Sequence, residues 1–111
     1  MSPYTPRIEL LEELDITYPP CGFHVGHGWL PIVRRALTRL IAAGWDRRLA
    51  QVKQKFLGLR IYLESTTPEF EQIIAEASRE AWQTCETCGG SYPHSLGVGR
   101  AECSACKSGR A

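Results

Sequence analysis

The cysteines of this 111-residue chain are spaced in a way that few folds accommodate. Four of the five form two pairs, Cys85-Glu-Thr-Cys88 and Cys103-Ser-Ala-Cys106, while Cys21 stands apart. A Cys-x-x-Cys pair curls round one edge of a tetrahedron, with each thiolate sulfur about 2.3 Å from a zinc ion. Two pairs at this separation match a zinc ribbon or similar knuckle, so one structural Zn2+ is expected on Cys85, Cys88, Cys103 and Cys106. Gly89 and Gly90 follow the first pair, where the backbone must turn tightly beneath the metal. Four thiolates leave no open position for water, so this metal is expected to fold residues 85–111 rather than to hydrolyse a substrate. A disulfide framework would strand the fifth cysteine. A redox dithiol calls for a single pair at the start of a helix. Cys21, His24 and His27 are also three apart, but a fourth ligand is missing. A buried Cys21 thiol and two turn histidines are therefore expected, without a second metal.

Composition narrows the class further. The chain is 43% hydrophobic and 23% charged, enough apolar matter for a core and too little charge for wholesale disorder. A formal charge of +1 excludes a polybasic coat or an acidic mimic. No apolar run approaches the roughly 18 residues of a membrane span, and residues 1–20 lack a charged-then-apolar signal pattern. A soluble, cytoplasmic protein with no membrane partner is expected.

Charge is unevenly divided along the chain. Residues 1–33 carry Arg7 against Glu9, Glu12, Glu13 and Asp15, a balance of −3. Residues 34–60 carry Arg34, Arg35, Arg39, Arg47, Arg48, Lys53, Lys55 and Arg60 against Asp46, giving +7, and the remainder returns to −3. Two readings fit. The acidic flanks fold over the basic middle or leave it a solvated face; or the eight cations form a patch for an acidic partner or a phosphate backbone.

Local pattern predicts a small α+β domain, with helix, helix, hairpin and helix over residues 1–84 and the zinc tail over 85–111. Thr5-Pro6 opens a first helix whose stripe is Ile8, Leu11, Leu14 and Leu10, and Tyr18-Pro19-Pro20 ends it. Residues 22–29 read as an ordered turn. A helix follows over about 29–43, with Leu30, Val33, Leu37, Leu40 and Ile41 inward, Arg34, Arg35, Thr38 and Arg39 outward, and Gly44 as its stop. Residues 50–56 and 59–63 alternate as two strands joined at Leu57-Gly58, glycine supplying a left-handed residue. Thr67-Pro68 caps the last helix, whose stripe is Phe70, Ile73, Ile74, Ala77 and Ala81, extended by Trp82 toward Cys85. Trp29, Leu37, Leu40, Phe56, Ile61, Phe70 and Ile74 are the expected core.

Read together, GFHVGHGW at 22–29, QVKQKFLGLRIYLE at 51–64, IIAEASRE at 73–80, CETCGG at 85–90 and CSAC at 103–106 resemble a family of small proteins of tailed phages and prophages. That family has a Gly-Phe-x-x-Gly-x-Gly-Trp lead-in, a Gln-Val-Lys-x-Lys-Phe-Gly-x-Leu-Arg-x-Tyr hairpin, and a Cys-Glu-x-Cys-Gly knuckle before a second cysteine pair. Two positions depart from it: His27 stands where the family has an acidic residue, and Leu57 where it has glycine. The first removes a carboxylate from the lead-in; the second changes the hairpin turn. The resemblance implies phage origin and a zinc knuckle, and no particular activity.

No serine, histidine and carboxylate group assembles from the sequence, so a non-enzymatic role is expected. The leading expectation is a phage-type accessory protein that binds a host protein or nucleoprotein complex, in the manner of an anti-CRISPR or other anti-defence inhibitor. Arg34, Arg35, Arg39, Arg47 and Arg48 would form its contact surface. The alternative is a zinc-ribbon nucleic-acid-binding protein, with Lys53, Lys55 and Arg60 meeting phosphates from a hairpin face.

Overall fold

The computed structural model describes residues 5–56 and 58–90. The second cysteine pair, Cys103 and Cys106, and the rest of the tail from residue 91 lie outside the described residues. The described residues adopt the expected α+β class, with three helices and a three-stranded mixed sheet among them. Helix α1 spans Thr5–Glu13, strand β1 Phe23–His24, helix α2 Leu30–Ala42 after a short 3-10 turn at His27–Trp29, β2 Leu49–Lys55, β3 Gly58–Leu63 and helix α3 Pro68–Ala81. Among the described residues no helix is long and apolar enough to cross a membrane.

The sheet order is β1-β2-β3, with β1 parallel to β2 and β2 antiparallel to β3. Phe23 pairs with Val52, which pairs with Ile61, and this row is 0%, 0% and 4% exposed. It packs into one core with Ile32, Val33, Leu37 and Leu40 of α2 and Ile73, Ile74, Ala77 and Ala81 of α3. Helices therefore cover this face of the sheet, and successive strand residues alternate to the opposite face. α3 is held at the β3 edge by Ser78, whose hydroxyl donates to the Leu59 carbonyl at 2.8 Å. The cap of α3 forms as its sequence dictates: Thr67 Oγ1 accepts from the Phe70 N–H at 3.2 Å, with Pro68 at the first turn.

Several expectations need correction. Residues 22–29 are more than a turn, because Phe23–His24 adds an edge strand to β2. The α1 stripe centres on Leu10, Leu11 and Leu14, leaving Ile8 at its margin and exposed. Gly58 lies within β3, paired with Lys55, so the turn begins one residue earlier than its sequence implies. Phe56, expected in the core, is 78% exposed and itself left-handed, with φ 51°. The ladder irregularity falls between Leu49 and Gln51, so Leu49 joins Val52 inside while Ala50 is only half-buried. α3 ends at Ala81 with Trp82 as its C-terminal cap, and the Trp82 side chain is exposed rather than an extension of the buried stripe. Cys21 is exposed rather than buried.

Candidate functional site

The eight basic residues of the middle segment divide into three groups. On α2, each arginine meets a glutamate from a flanking acidic segment. Arg34 pairs with Glu13 of α1 and Arg35 with Glu80 of α3. Arg39 Nη1 lies 2.7 Å from Glu76 Oε2, an oxygen shielded from water. The flanks thus fold over this part of the basic segment. Arg47 and Arg48 occupy the loop before β2. There the Arg48 N–H donates to Asp46 Oδ1 at 3.0 Å, and both arginines line a cleft of about 370 Å³ with Tyr18 and Glu64.

The third group is arranged differently. Register puts His24, Lys53 and Arg60 side by side across all three strands on the face away from the helices. The neighbouring pair on the same face is Gln51 with Tyr62, and Lys55 lies beyond at the hairpin end. Lys53 and Arg60 are directly cross-strand partners, a like-charge pair that sheet pairing disfavours. Among the described residues, no carboxylate forms a salt bridge with Lys53, Lys55 or Arg60. The ammonium groups rest on aromatic rings instead: Lys53 Nζ is 5.8 Å from the Tyr62 centroid and Lys55 Nζ 5.6 Å from that of Phe56. Beside this face a groove of about 490 Å³ runs between β3 and α3, lined by Arg60, Tyr62, Glu71, Ser78 and Arg79 among others.

A second arrangement concerns the first cysteine pair. Cys85 is buried and Cys88 exposed. The Cys88 N–H points at Cys85 Sγ and the Gly90 N–H at Cys88 Sγ, both at 3.4 Å. Each sulfur thus has a backbone N–H directed at it from within the turn, an arrangement in which ligand sulfurs are held by outer hydrogen bonds. Gly89 takes φ 80° to close the turn, and its N–H donates to the Cys85 carbonyl at 2.9 Å.

This cysteine turn is seated on the glycine-rich lead-in to α2. The Gly28 N–H donates to the Glu86 carbonyl at 2.7 Å, the Gly26 N–H to Glu86 Oε2 at 2.9 Å, and Trp29 Nε1 to the Thr84 carbonyl at 2.9 Å. A Cβ on Gly28 would lie 2.2 Å from the Cys85 carbonyl oxygen, and one on Gly26 2.3 Å from that of Glu86. Both glycines are therefore required by close backbone approach, a reason that spacing alone did not reveal. Among the described residues no three His, Cys, Asp or Glu side chains form a metal-binding group, so Cys21, His24 and His27 do not converge. No family model matches the chain, and no curated protein or solved structure matches it.

Proposed function

We propose that this protein is a non-enzymatic nucleic-acid-binding protein of the phage-accessory type, stabilised by one zinc ion, which meets phosphates through the open face of its sheet. The observation that carries this reading is the row His24, Lys53, Arg60. Two cations stand directly opposite each other with no salt-bridging carboxylate among the described residues, at a cost on the scale of cross-strand pairs, about 0.2–1 kcal/mol. Folding gains nothing from that pair, whereas a polyanion laid across it is attracted by both members and by Lys55. The α2 arginines support the same choice from the other side. Their charge is already matched by Glu13, Glu80 and Glu76, which weakens them as a contact patch for an acidic protein. A host nucleoprotein would on this reading be engaged through its nucleic-acid strand.

The zinc part of the reading rests on the N–H groups aimed at Cys85 and Cys88 Sγ. With Cys103 and Cys106 as the other two ligands, the ion would hold the tail against the Gly26–Trp29 lead-in and supply no chemistry of its own. Purified protein should carry about one zinc per chain by metal analysis, and Cys88→Ser should lower it.

Binding is tested by fluorescence anisotropy with a labelled oligothymidine. Three phosphate contacts predict a log–log salt slope near −2, or about a twentyfold loss between about 50 and 200 mM salt. The double change Lys53→Glu with Arg60→Glu should weaken binding about 30-fold or more while leaving the fold intact by circular dichroism. An affinity indifferent to both salt and this double change would overturn the proposal.

A further inference from the structure

The tip of the hairpin carries a feature that packing does not explain. Phe56 is the most exposed large apolar residue described, at 78%, and it holds a left-handed backbone, φ 51°. Asp15 and Arg47 share that conformation. Asp enters it readily, but a bulky aromatic residue there is an outlier that costs stability and persists where it serves something else. Phe56 is thus disfavoured twice: its ring gains no burial and its backbone is strained. It also ends the basic face, with Lys55 Nζ 5.6 Å from its ring, and Tyr62 repeats the arrangement with Lys53 further along. Tyr62 is 41% exposed. Cation and aromatic ring therefore recur together twice on one surface.

We infer that this face takes single-stranded rather than duplex nucleic acid, with an unpaired base stacking on Phe56 and a second on Tyr62 while Lys53, Lys55 and Arg60 meet the connecting phosphates. The inference rests on the nucleic-acid reading given above and sharpens it. Phosphate contacts alone do not distinguish a strand from a duplex. An exposed aromatic face does, because base faces are available only when unstacked. Stacking on Phe and Tyr is also tolerant of sequence, as every base has a π-face.

The test compares a labelled oligothymidine of about 12 nucleotides with a duplex of the same length, using the full chain. Wild type should bind the strand at least about tenfold more tightly than the duplex. Phe56→Ala should weaken strand binding roughly tenfold and leave duplex binding unchanged, while Phe56→Trp should restore the strand. Phe56→Gly separates fold from function: it should raise the melting temperature by relieving the left-handed strain, yet bind as weakly as Phe56→Ala. Equal loss on strand and duplex, or no loss on either, overturns the stacking inference while the phosphate reading stands. Failure of wild type to bind either oligonucleotide removes both, and would assign the exposed aromatics to a protein partner.

Discussion

Helix α2 and the outer face of the sheet draw on the same basic stretch of sequence, and the fold treats them in opposite ways. On α2 every arginine is answered by a glutamate from an acidic flank, Glu13 before it and Glu76 and Glu80 after it. On the sheet, Lys53 and Arg60 face each other, Lys53 over the Tyr62 ring, and among the described residues neither has a salt-bridging carboxylate. A run of charge in sequence is therefore not one patch in space. A helix surface can be reached by side chains from neighbouring helices, whereas the outer face of the sheet, among the described residues, has no helix packed on it to supply them.

The largest effect is expected on α2. Changing Arg34, Arg35 and Arg39 together to Glu turns three attractive pairs into three repulsive ones. Unfolding in urea should register a loss of roughly 1–3 kcal/mol, the range expected of three half-exposed pairs reversed in sign. Affinity for an oligonucleotide, measured where the variant is still folded, should change no more than about threefold. The opposite pattern, unchanged stability with abolished binding of an acidic partner, would make these arginines the contact surface after all.

On the sheet side the expected sign is reversed. Arg60→Glu replaces a like-charge pair with an opposite-charge one and should stabilise the fold by about 0.5 kcal/mol while weakening oligonucleotide binding. A destabilised variant would mean that Arg60 contributes to folding through its long apolar stem, and the contrast would lose one of its two poles. The smallest effect sharpens the helix side. A double-mutant cycle over Arg39→Ala and Glu76→Ala should yield a coupling near 0.5 kcal/mol that fades in high salt. A coupling indistinguishable from zero would leave α2 as basic, in energetic terms, as its sequence reads.

Much of this contrast was hidden from sequence by register. A connection at Leu57-Gly58 implies Lys55 opposite Arg60 and Lys53 opposite Tyr62, whereas the strands pair Lys53 with Arg60 and Lys55 with Gly58. The slip is two residues, so each side chain kept its face while changing its partner, because the strand period is two. The like-charge pair emerges only from the observed pairing. Helices α2 and α3 were legible throughout, since their apolar stripes recur at helical spacing and Thr67-Pro68 marks a start. β1 was not, because two residues have no periodicity and Phe23–His24 becomes a strand only by pairing with β2. The arginine partners were foreshadowed by the acidic flanks, but which glutamate met which arginine is decided by tertiary packing.

The seat of the cysteine turn on Gly26 and Gly28 has a consequence for synthesis. The bond between Gly26 and Glu86 spans a separation of 60 residues. The β2–β3 hairpin closes over a handful of residues and can form as soon as it leaves the ribosome, but the glycine lead-in must wait for residue 86 to emerge. Until then Trp29 lacks the Thr84 carbonyl that accepts from its indole N–H. A nascent chain therefore carries an unlatched first half, and truncation shortly before Glu86 should leave a hairpin-containing but protease-sensitive product. The last described residues complete the first.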